Sequence, residues 1–497
     1  MPNIDVNHLS FTHDGRYIPV FEDVSFQMDT AWHLGFVGRN GRGKTTFLKL
    51  LMGDFEYSGT ISTKSVVFEY FPFAVEHPED LTYEVAEEII PELEMWSLEK
   101  ELRLLNMDPD DILYRPYQTL SFGEQTKVML AILFQKQNGF LLIDEPTNHL
   151  DVSGRKLVSA YLKKKSGFIL VSHDRDFLNE CIDHVLSIEK TNIVIQKGNF
   201  DSWWENRERH EAMEMAENDK LKRDISRLEA ASKRTASWSD KAERSKIGFD
   251  PTKVEKQISR RAYEGAKAKK LMKQASAIET RQSAAIEEKK GLLKNHERVD
   301  ELKISQLPYF SKTYVEARDL SLYYGEKMVV SGITFRIDRG ERVAIQGANG
   351  SGKSTLLHAV MGEDIRHTGE LICNPQLKIS FVSQDTSFLE GSIAEYSRTN
   401  QLDDALFRAI LVKLGVEREQ FDVDMKGFSG GQKKKVLLAQ SLATPAHIHV
   451  WDEPMNFIDV FSRMQIEQLI HDYEPTLLFV EHDSRFSDNV ATKSISL

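Results

Sequence analysis

Two stretches of this chain have nearly the same sequence: Gly38 to Thr45 reads GRNGRGKT, and Gly347 to Ser354 reads GANGSGKS. Each follows a short apolar run typical of a β-strand, HLGFVG in the first half and RVAIQG in the second, and each opens a segment of helical character. A glycine-rich loop in this position surrounds phosphates with backbone N–H groups, while its lysine reaches the outer phosphates and its hydroxyl reaches Mg²⁺. The chain is therefore predicted to hold two nucleotide phosphate sites.

Further motifs repeat in the same order behind each loop. They are LSFGEQ, FLLIDEPTNHLD and VSHD in the first half, and FSGGQ, VWDEPMNFID and EHD in the second. Lys353 follows Lys44 by 309 positions, and His482 follows His173 by 309. Such constant offsets indicate the duplication of a whole domain. Because the apolar strands end at functional residues and alternate with helices, we expect an α/β fold with a mostly parallel sheet and its site at the carboxyl ends of the strands.

Composition limits the class of protein. The 497 residues are enough for two or three globular units, and no apolar run approaches the roughly 18 residues that cross a bilayer. With no leader-like N-terminus, we expect a soluble, cytoplasmic protein without a membrane partner. Cys181 and Cys373 are far apart and have no metal-ligand spacing, so they are interpreted as reduced structural thiols.

Charge is distributed unevenly along the chain. Residues 231–290 contain sixteen Lys and Arg against eight Asp and Glu, a net +8, so the rest of a chain of net charge −12 carries −20. Residues 200–247 have neither Gly nor Pro, which permits one long helix, and a breaker cluster at 247–251 precedes a second helical run. Spacing of 4 and 3 on both runs predicts an antiparallel hairpin with a basic tip, a form that suits a polyanion; a solvated helical face is the alternative. The predicted domains are 1–200, 201–307 and 308–497.

Together these features resemble the ATP-binding-cassette proteins and, among them, the ABC-F class. The resemblance covers the whole chain: paired cassettes, a charged helical linker, and DEPTNHLD in the first half. RRAYEGAKAKKLMKQA and WDEPMNFID are similar to the resistance group of Lsa and Vga type. The resemblance implies two ABC-type nucleotide-binding domains of the P-loop NTPase fold, joined by a long antiparallel α-helical hairpin. It also implies a monomer whose cassettes pair within one chain. Lys44 to Asp144 and Lys353 to Asp452 span 100 and 99 positions, so neither cassette has an inserted arm.

ABC-F proteins are ribosome-associated ATPases. For this chain the resemblance implies a bacterial 70S ribosome as partner, with the linker entering through the transfer-RNA exit site towards large-subunit ribosomal RNA and the P-site transfer RNA. The Lsa and Vga group protects the peptidyl-transferase centre against lincosamides, streptogramin A and pleuromutilins. A housekeeping translation ATPase of the same class and the ATPase component of a drug exporter are the alternatives.

ATP and Mg²⁺ are the expected cofactors, and each motif residue has an expected role. Hydrolysis needs charge neutralisation and an aligned water, so we expect catalysis from Glu145 and Glu453 on the water and from His173 and His482 on the γ-phosphate. The expected Mg²⁺ ligands are Thr45, Asp144, Ser354, Gln384 and Asp452. In the resembling family the signature of one cassette completes the other's site, which assigns Ser429, Gly430, Gly431 and Gln432 to the ATP of Lys44, and Ser121 and Gly123 to that of Lys353. The remaining expected ATP contacts are Gly38, Asn40, Gly41, Gly43, Lys44, Thr45, Thr46, Gly347, Asn349, Gly350, Gly352, Lys353, Ser354, Thr355 and, against adenine, Tyr324.

Some positions depart from the family pattern. Phe73 stands where a cassette usually has glutamine, His13 stands where the second half has Tyr324, and Phe122 replaces a signature glycine. We therefore expect two unequal sites. At the hairpin tip, aromatic rings for bases and cations for phosphates make the expected RNA contacts Trp238, Lys241, Lys246, Phe249 and Lys253; for the two aromatics, packing within the linker is the alternative.

Overall fold

The computed structural model describes residues 3–13, 19–63, 66–136, 139–148, 150–189, 191–247, 273, 277–278, 280–281, 307, 312–348 and 350–497. For residues 232–247 it describes the backbone alone. By their contacts the residues form two compact units, one of Met1–Trp203 with Val299–Leu497, and one of Trp204–Arg298. The first unit contains both cassettes.

The first cassette combines a small antiparallel sheet with a larger, mostly parallel one. The strands are β1 Asn3–Phe11, β2 Phe21–Asp29, β3 His33–Val37, β4 Ser58–Ser62, β5 Val67–Phe71, β6 Gly139–Asp144, β7 Phe168–Val171, β8 His184–Glu189 and β9 Asn192–Lys197. The helices are α1 Lys44–Met52, α2 Thr82–Ile89, α3 Met95–Leu104, α4 Pro109–Ile112, α5 Phe122–Leu133, α6 Val152–Leu162 and α7 Arg175–Cys181. The sheets have the orders β2-β1-β4 and β5-β6-β7-β3-β8-β9.

The second cassette repeats this arrangement. Its strands are β10 Thr313–Tyr324, β11 Lys327–Asp338, β12 Arg342–Gln346, β13 His367–Cys373, β14 Ile379–Val382, β15 Ile448–Asp452, β16 Leu477–Val480 and β17 Lys493–Ser496. Its helices are α9 Lys353–Val360, α10 Ile393–Thr399, α11 Asp404–Lys413, α12 Gly430–Ala443, α13 Val460–Tyr473 and α14 Ser484–Val490. The sheets have the orders β11-β10-β13 and β14-β15-β16-β12-β17. The predicted α/β class and the duplication are confirmed.

Buried apolar strands place the functional residues at one edge. The central strands β6, β7, β15 and β16 are apolar over nearly their whole length because helices cover both faces of a parallel sheet. β6 ends at Asp144 and β15 ends at Asp452, each beside a strand that leads to a histidine, His173 or His482. The motif residues of each cassette therefore meet at the carboxyl ends of its strands, as expected.

The predicted long helix is α8, Phe200–Ile247. Leu221 and Leu228 are partly buried and Ile225 is buried, so the less exposed apolar residues of this segment follow the expected spacing of 4 and 3. Most of the predicted return helix lies outside the described residues, so the hairpin itself stays a prediction. In the part of the chain that the structure describes, we find no helix with the length and apolarity to cross a membrane. The domain boundaries also stay predictions.

Candidate functional site

The first phosphate loop is shaped by two glycines with left-handed backbone. Gly41 and Gly43 have φ values of 79° and 99°, which a residue with a side chain rarely adopts. A Cβ atom at Gly43 would also lie 2.5 Å from a side-chain atom of Val20. The loop leads into α1, whose first residue, Lys44, donates from Nζ to the carbonyl of Gly38 at 2.7 Å. The lysine is thus held over the loop, within a ring of oxygen atoms suited to a cation.

The first-site carboxylates lie at the end of β6. Thr45 Oγ1 and the Tyr70 hydroxyl both donate to Asp144 Oδ2, at 3.2 Å and 2.9 Å. Burial, and then the adjacent Asp144 charge, raise the pKa of Tyr70 above its ordinary value, so the phenol stays protonated and remains a donor. Tyr70 was not predicted as a site residue. The oxygen atoms of Thr45 and Asp144 are the ligand type that Mg²⁺ prefers, so the residues present fit the expected metal.

Glu145 follows Asp144 and has a strained backbone. Its φ of 53° lies in the left-handed region, as does the φ of 45° at Glu453, and such strain at a non-glycine residue is typical of functional positions. Glu145 Oε1 lies 3.3 Å from His173 Nε2, and burial together with the Asp144 charge raises the pKa of Glu145 to about 8. The glutamate expected to act on the water and the histidine expected to act on the γ-phosphate thus lie side by side, and their roles stay predictions.

Residues of the second cassette complete the first site. A cavity of about 620 Å³ has a lining drawn from both halves: His13, Asn40, Gly41, Gly43, Lys44, Thr45, Thr46, Tyr70, Pro72, Asp144, Glu145, Asn148, Val171 and His173 from the first, with Ser429, Gly430, Gly431 and Phe457 from the second. Asn40 Nδ2 donates to the Phe457 carbonyl at 2.8 Å across this boundary. The structure therefore brings Ser429, Gly430 and Gly431 to the loop of Lys44, where the resemblance had assigned them. Gln432 lies next to them in the first turn of α12, where its side-chain oxygen accepts a hydrogen bond from the Ser429 amide.

A carboxylate of the second cassette also faces the first lysine. Burial lowers the pKa of Lys44, and the charges of Asp459, Glu145 and Asp144 oppose that lowering. Asp459 is itself fixed by Lys435, whose Nζ donates to Asp459 Oδ2 at 2.9 Å. The pKa of Asp459 is held below its ordinary value because this ion pair outweighs the effect of burial. Sequence reasoning missed Asp459, although its place at the end of WDEPMNFID was a usable signal.

The second site has a parallel arrangement. Gly350 and Gly352 have φ values of 77° and 91°, and Lys353 Nζ donates to the Gly347 carbonyl at 3.0 Å. Burial lowers the pKa of Lys353, and the charges of Glu453, Asp452 and Asp151 oppose it, so a carboxylate of the first cassette faces this lysine as well. Asp151 corresponds to Asp459 by the same repeat.

The two sites differ around their glutamates. Glu453 Oε2 accepts from Gln384 Nε2 at 2.8 Å and from Asn456 Nδ2 at 2.6 Å, and its Oε1 lies 3.3 Å from His482 Nε2. Hydrogen bonds and the charge of His482 outweigh burial, which acts in the opposite direction, so the pKa of Glu453 lies below its ordinary value. Gln384, expected as a metal ligand, thus holds the glutamate in this structure.

For the remaining expected site residues, the structure describes fewer contacts. Tyr324 ends β10 with a ring that is 78% exposed, and His13 Nε2 lies 3.3 Å from Thr46 Oγ1 inside the first cavity. Ser121 caps α5 with a hydroxyl bonded to Glu124, so its assignment to the second site stays a prediction, as does that of Gly123. Thr355 lies in the first turn of α9, next to the magnesium candidate Ser354. Asn349, Phe249 and Lys253 lie outside the described residues, and so do the side chains of Trp238, Lys241 and Lys246.

The cassettes also contact each other beyond the nucleotide sites. Buried Arg175 of α7 forms a two-pronged ion pair with Glu467 of α13, with Nη1 donating to Oε2 at 3.2 Å. Arg42, in the first phosphate loop, lies 3.2 Å from Glu417 of the second cassette. Arg155 donates to the carbonyl of His482 at 3.2 Å, so it connects the first cassette to the histidine loop of the second. These pairs hold the two halves face to face.

The first turn of α8 contacts the second cassette. Buried Trp203 packs with its ring centroid 6.0 Å from that of Phe461, two residues after Asp459. Asp201 accepts a hydrogen bond from Arg485, three residues after His482. Both contacts are made by residues that closely follow a loop at a nucleotide site, so the start of the helix packs against the segments next to those loops.

Comparisons with known proteins agree with this geometry. The model of the family described as ABC transporter matches residues 21–148 and 330–456. The ribosome protection protein VmlR of Bacillus subtilis is 29% identical over 490 residues, covering 96% of this chain and 83% of the relative. The erythromycin resistance ATP-binding protein MsrA of Staphylococcus epidermidis is 28% identical over 487 residues, covering 93% of this chain and 91% of the relative.

A relative without resistance in its name matches to a similar degree. The ATP-binding protein Uup of Caulobacter vibrioides is 28% identical over 494 residues, covering 96% of this chain and 75% of that protein. Among solved structures, the archaeal ribosome recycling factor aABCE1, in a complex with the ribosomal stalk protein aP1, has a TM-score of 0.63 at 18% identity. That match covers 98% of this chain and 87% of the solved chain, and it bears on the fold alone.

Proposed function

Because the chain belongs to the ABC transporter family, we propose that it is an ABC-F ATPase that binds bacterial ribosomes and protects the large-subunit peptidyl-transferase centre from antibiotics. The observation that carries the ATPase part is the first cavity, in which the phosphate loop of one cassette faces Ser429, Gly430 and Gly431 of the other. A ligand bound there touches both halves. Its binding energy therefore favours the paired arrangement of the cassettes over a separated one.

In the proposed cycle, ATP joins the cassettes and hydrolysis releases them. Lys44 and Lys353 bind the outer phosphates, and the left-handed glycines of each loop present backbone N–H groups to them. Thr45 and Asp144 would hold Mg²⁺ in the first site, and Ser354 and Asp452 would hold it in the second, where it would neutralise charge that develops on the phosphate oxygens.

Glu145 and Glu453 orient the attacking water and accept its proton, and each has the Nε2 atom of a histidine 3.3 Å from its Oε1. The water attacks the γ-phosphorus, the bond to the bridging oxygen breaks, and ADP and phosphate leave. With the phosphate gone, the contacts that span the two cassettes weaken and the halves separate.

The ribosomal part of the proposal is supported by two relatives whose names state ribosome protection and erythromycin resistance, and by the basic stretch 231–290. We place that stretch against large-subunit ribosomal RNA and the P-site transfer RNA, reached through the exit site, in the cytoplasm. From the likeness to the Lsa and Vga type, the drugs countered are lincosamides, streptogramin A and pleuromutilins. The linker tip, with Trp238, Lys241, Lys246, Phe249 and Lys253, makes the contacts that displace them.

The first experiment traps the paired state. In the double variant Glu145→Gln/Glu453→Gln we expect ATP-dependent co-sedimentation with 70S ribosomes that persists after washing, because ATP binds and is not hydrolysed. The matched control Lys44→Ala/Lys353→Ala should stay in the supernatant with or without ATP. Equal recovery of both variants with ribosomes would overturn ATP-controlled ribosome binding, and recovery with membranes in place of ribosomes would favour the exporter alternative.

The second experiment separates drug protection from a housekeeping role, which the similarity to Uup keeps open. The chain is expressed in a susceptible host, and inhibitory concentrations of a lincosamide, a streptogramin A and a pleuromutilin are measured beside an aminoglycoside as control. We expect resistance to the first three alone. A chain from which residues 240–255 are removed should keep its ATPase activity and lose protection; unchanged drug sensitivity with the intact chain would favour the housekeeping role.

A further inference from the structure

Strand register aligns the two sites residue by residue. In the first cassette Phe71 pairs with Ile143, which directly precedes Asp144, and in the second Val382 pairs with Trp451, which directly precedes Asp452. Counting outward from these pairs, Tyr70 corresponds to Phe381. Phe73 corresponds to Gln384 by the same count.

The polar group near the metal position is therefore found on different residues in the two sites. In the first site, the side chain of Phe73 has no polar atom. The Tyr70 hydroxyl donates to Asp144 Oδ2 at 2.9 Å, the same oxygen that Thr45 contacts at 3.2 Å. In the second site, Phe381 has no hydroxyl to offer Asp452.

In the second site the additional hydrogen bond goes to the glutamate, Glu453, and not to the aspartate. Gln384 donates to Glu453, whereas neither oxygen of Glu145 accepts a side-chain hydrogen bond within the part of the chain that the structure describes. Asp452 likewise keeps a buried Oδ1 without a hydrogen bond from the described residues. Asp452 accepts a hydrogen bond from Ser354, as Asp144 does from Thr45, so the first site has one additional donor on its aspartate and the second has one on its glutamate.

A carboxylate that binds Mg²⁺ must present one oxygen at a defined angle, because this ion requires near-octahedral geometry. Groups that hydrogen-bond a ligating carboxylate orient it, and their removal typically weakens metal binding tenfold or more. The donors Thr45 and Tyr70 both bind Oδ2 of Asp144, so they fix the orientation of its carboxylate.

From this geometry we propose that Tyr70 is a positioning residue of the first site: it orients Asp144 for Mg²⁺. The second site lacks this device, because Phe381 has no hydroxyl and Gln384 bonds to Glu453. The inference rests on the proposed Mg²⁺-dependent binding of ATP.

The test measures metal dependence of binding, separately from turnover. In the full chain with Lys353→Ala, which confines nucleotide to the first site, a fluorescent ATP analogue is titrated with Mg²⁺. Adding Tyr70→Phe should raise the half-saturating Mg²⁺ concentration about tenfold and leave the affinity measured in EDTA unchanged.

A second variant, which adds the hydroxyl to the other site, tests the same role by gaining a contact and not by losing one. With Lys44→Ala confining nucleotide to the second site, Phe381→Tyr should lower the half-saturating Mg²⁺ concentration of that site. Unchanged Mg²⁺ dependence in both Tyr70→Phe and Phe381→Tyr, in chains that bind the analogue normally, would overturn the role of Tyr70. Absence of any Mg²⁺-dependent nucleotide binding in the Lys353→Ala parent, and also in the unmodified chain, would instead overturn the proposed function.

Discussion

Arg485 Nη1 donates to the Asp201 carboxylate at 2.7 Å. This bond connects α14, the helix that begins just after His482 of the second cassette, to the first turn of α8. Burial alone would raise the pKa of Asp201, but the bond from Arg485 outweighs it and holds that pKa below its ordinary value. Both side chains are partly exposed, so the pair contributes little to folding stability, at most about 1 kcal/mol. Its importance is in connecting the nucleotide site to the helix.

We therefore expect Arg485→Gln to leave ATPase activity without ribosomes within about twofold, in line with the small energy of an exposed pair. ATP-dependent ribosome retention should fall, because α8 is no longer tied to the loop of His482. Arg209→Gln, which removes a solvent-exposed pair with Glu205 further along the helix, is the control. Equal retention in both variants would show that the contact does not transmit the nucleotide state.

Gly431 lies where the two cassettes meet at the first site. A Cβ atom there would lie 2.3 Å from the Phe457 carbonyl oxygen and 2.9 Å from Asn40 Nδ2. Because Asn40 of the first cassette donates to this same Phe457 carbonyl, Gly431→Ala should displace the contact between the halves. We expect it to lower ATP affinity of the first site about tenfold, the effect of roughly 1–2 kcal/mol of overpacking. The measurement is analogue binding in the Lys353→Ala background.

Gly427→Ala is the matched control for this substitution. It lies in the short 3-10 helix just before the same signature turn, and a Cβ atom at Gly427 meets nothing within 4 Å. Affinity should stay within about twofold of the parent, as expected for a surface substitution. An equal loss in both variants would mean that the signature turn is sensitive to any added methyl group, and the close approach at Gly431 would not explain the effect.

Two ion pairs between the cassettes, one buried and one exposed, predict unequal costs in stability. The side chains of Arg175 and Glu467 are 3% and 9% exposed, whereas those of Arg42 and Glu417 are 48% and 54% exposed. Glu467→Ala leaves a buried guanidinium without its carboxylate, so we expect the free energy of unfolding to fall by about 3–5 kcal/mol. Glu417→Ala should change it by no more than about 1 kcal/mol.

Urea unfolding of the full chain measures both variants. The double substitution Arg175→Met/Glu467→Leu should recover most of the lost stability, because no unpaired charge remains in the interface. Equal losses for Glu467→Ala and Glu417→Ala would contradict the assignment of the buried pair as an anchor between the cassettes.

Sequence reasoning predicted the parts of this fold that depend on local pattern. The glycine loops and the strands ending at Asp144 and Asp452 follow from short-range geometry, and their repetition set the two-cassette architecture. The 48-residue α8 follows from the absence of helix breakers. These features are encoded by residues that are neighbours in the chain.

Contacts between distant residues could not be predicted in the same way. Tyr70 reaches Asp144 only because β5 lies beside β6 in one particular register, and Arg175 finds Glu467 only once two domains pack. Aligning FEYFPF with ISFVSQ could have shown that the first half has a phenol, Tyr70, where the second has Phe381. It could also have shown that the second half has an amide, Gln384, where the first has Phe73. The carboxylate that each group holds depends on three-dimensional distances, which sequence spacing does not contain.

His449 predicts an acid sensitivity of the second cassette. This histidine is buried on β15, where its Nδ1 lies 3.1 Å from Ser441 Oγ, and burial lowers its pKa to about 4. Its pKa in the unfolded chain is near 6.5, so between pH 4 and pH 6.5 the unfolded state binds more protons than the folded state. The contribution of neutral His449 is therefore complete above pH 6.5 and is lost as pH falls towards 4, up to about 3 kcal/mol.

His449→Gln removes the titration and should flatten this part of the stability profile. Relative to the unmodified chain, its free energy of unfolding in urea should rise by about 2 kcal/mol between pH 7 and pH 4.5, while the same substitution at the exposed His367 should show no such trend. A difference between His449→Gln and the unmodified chain that is the same at both pH values would mean that the buried imidazole does not control acid stability.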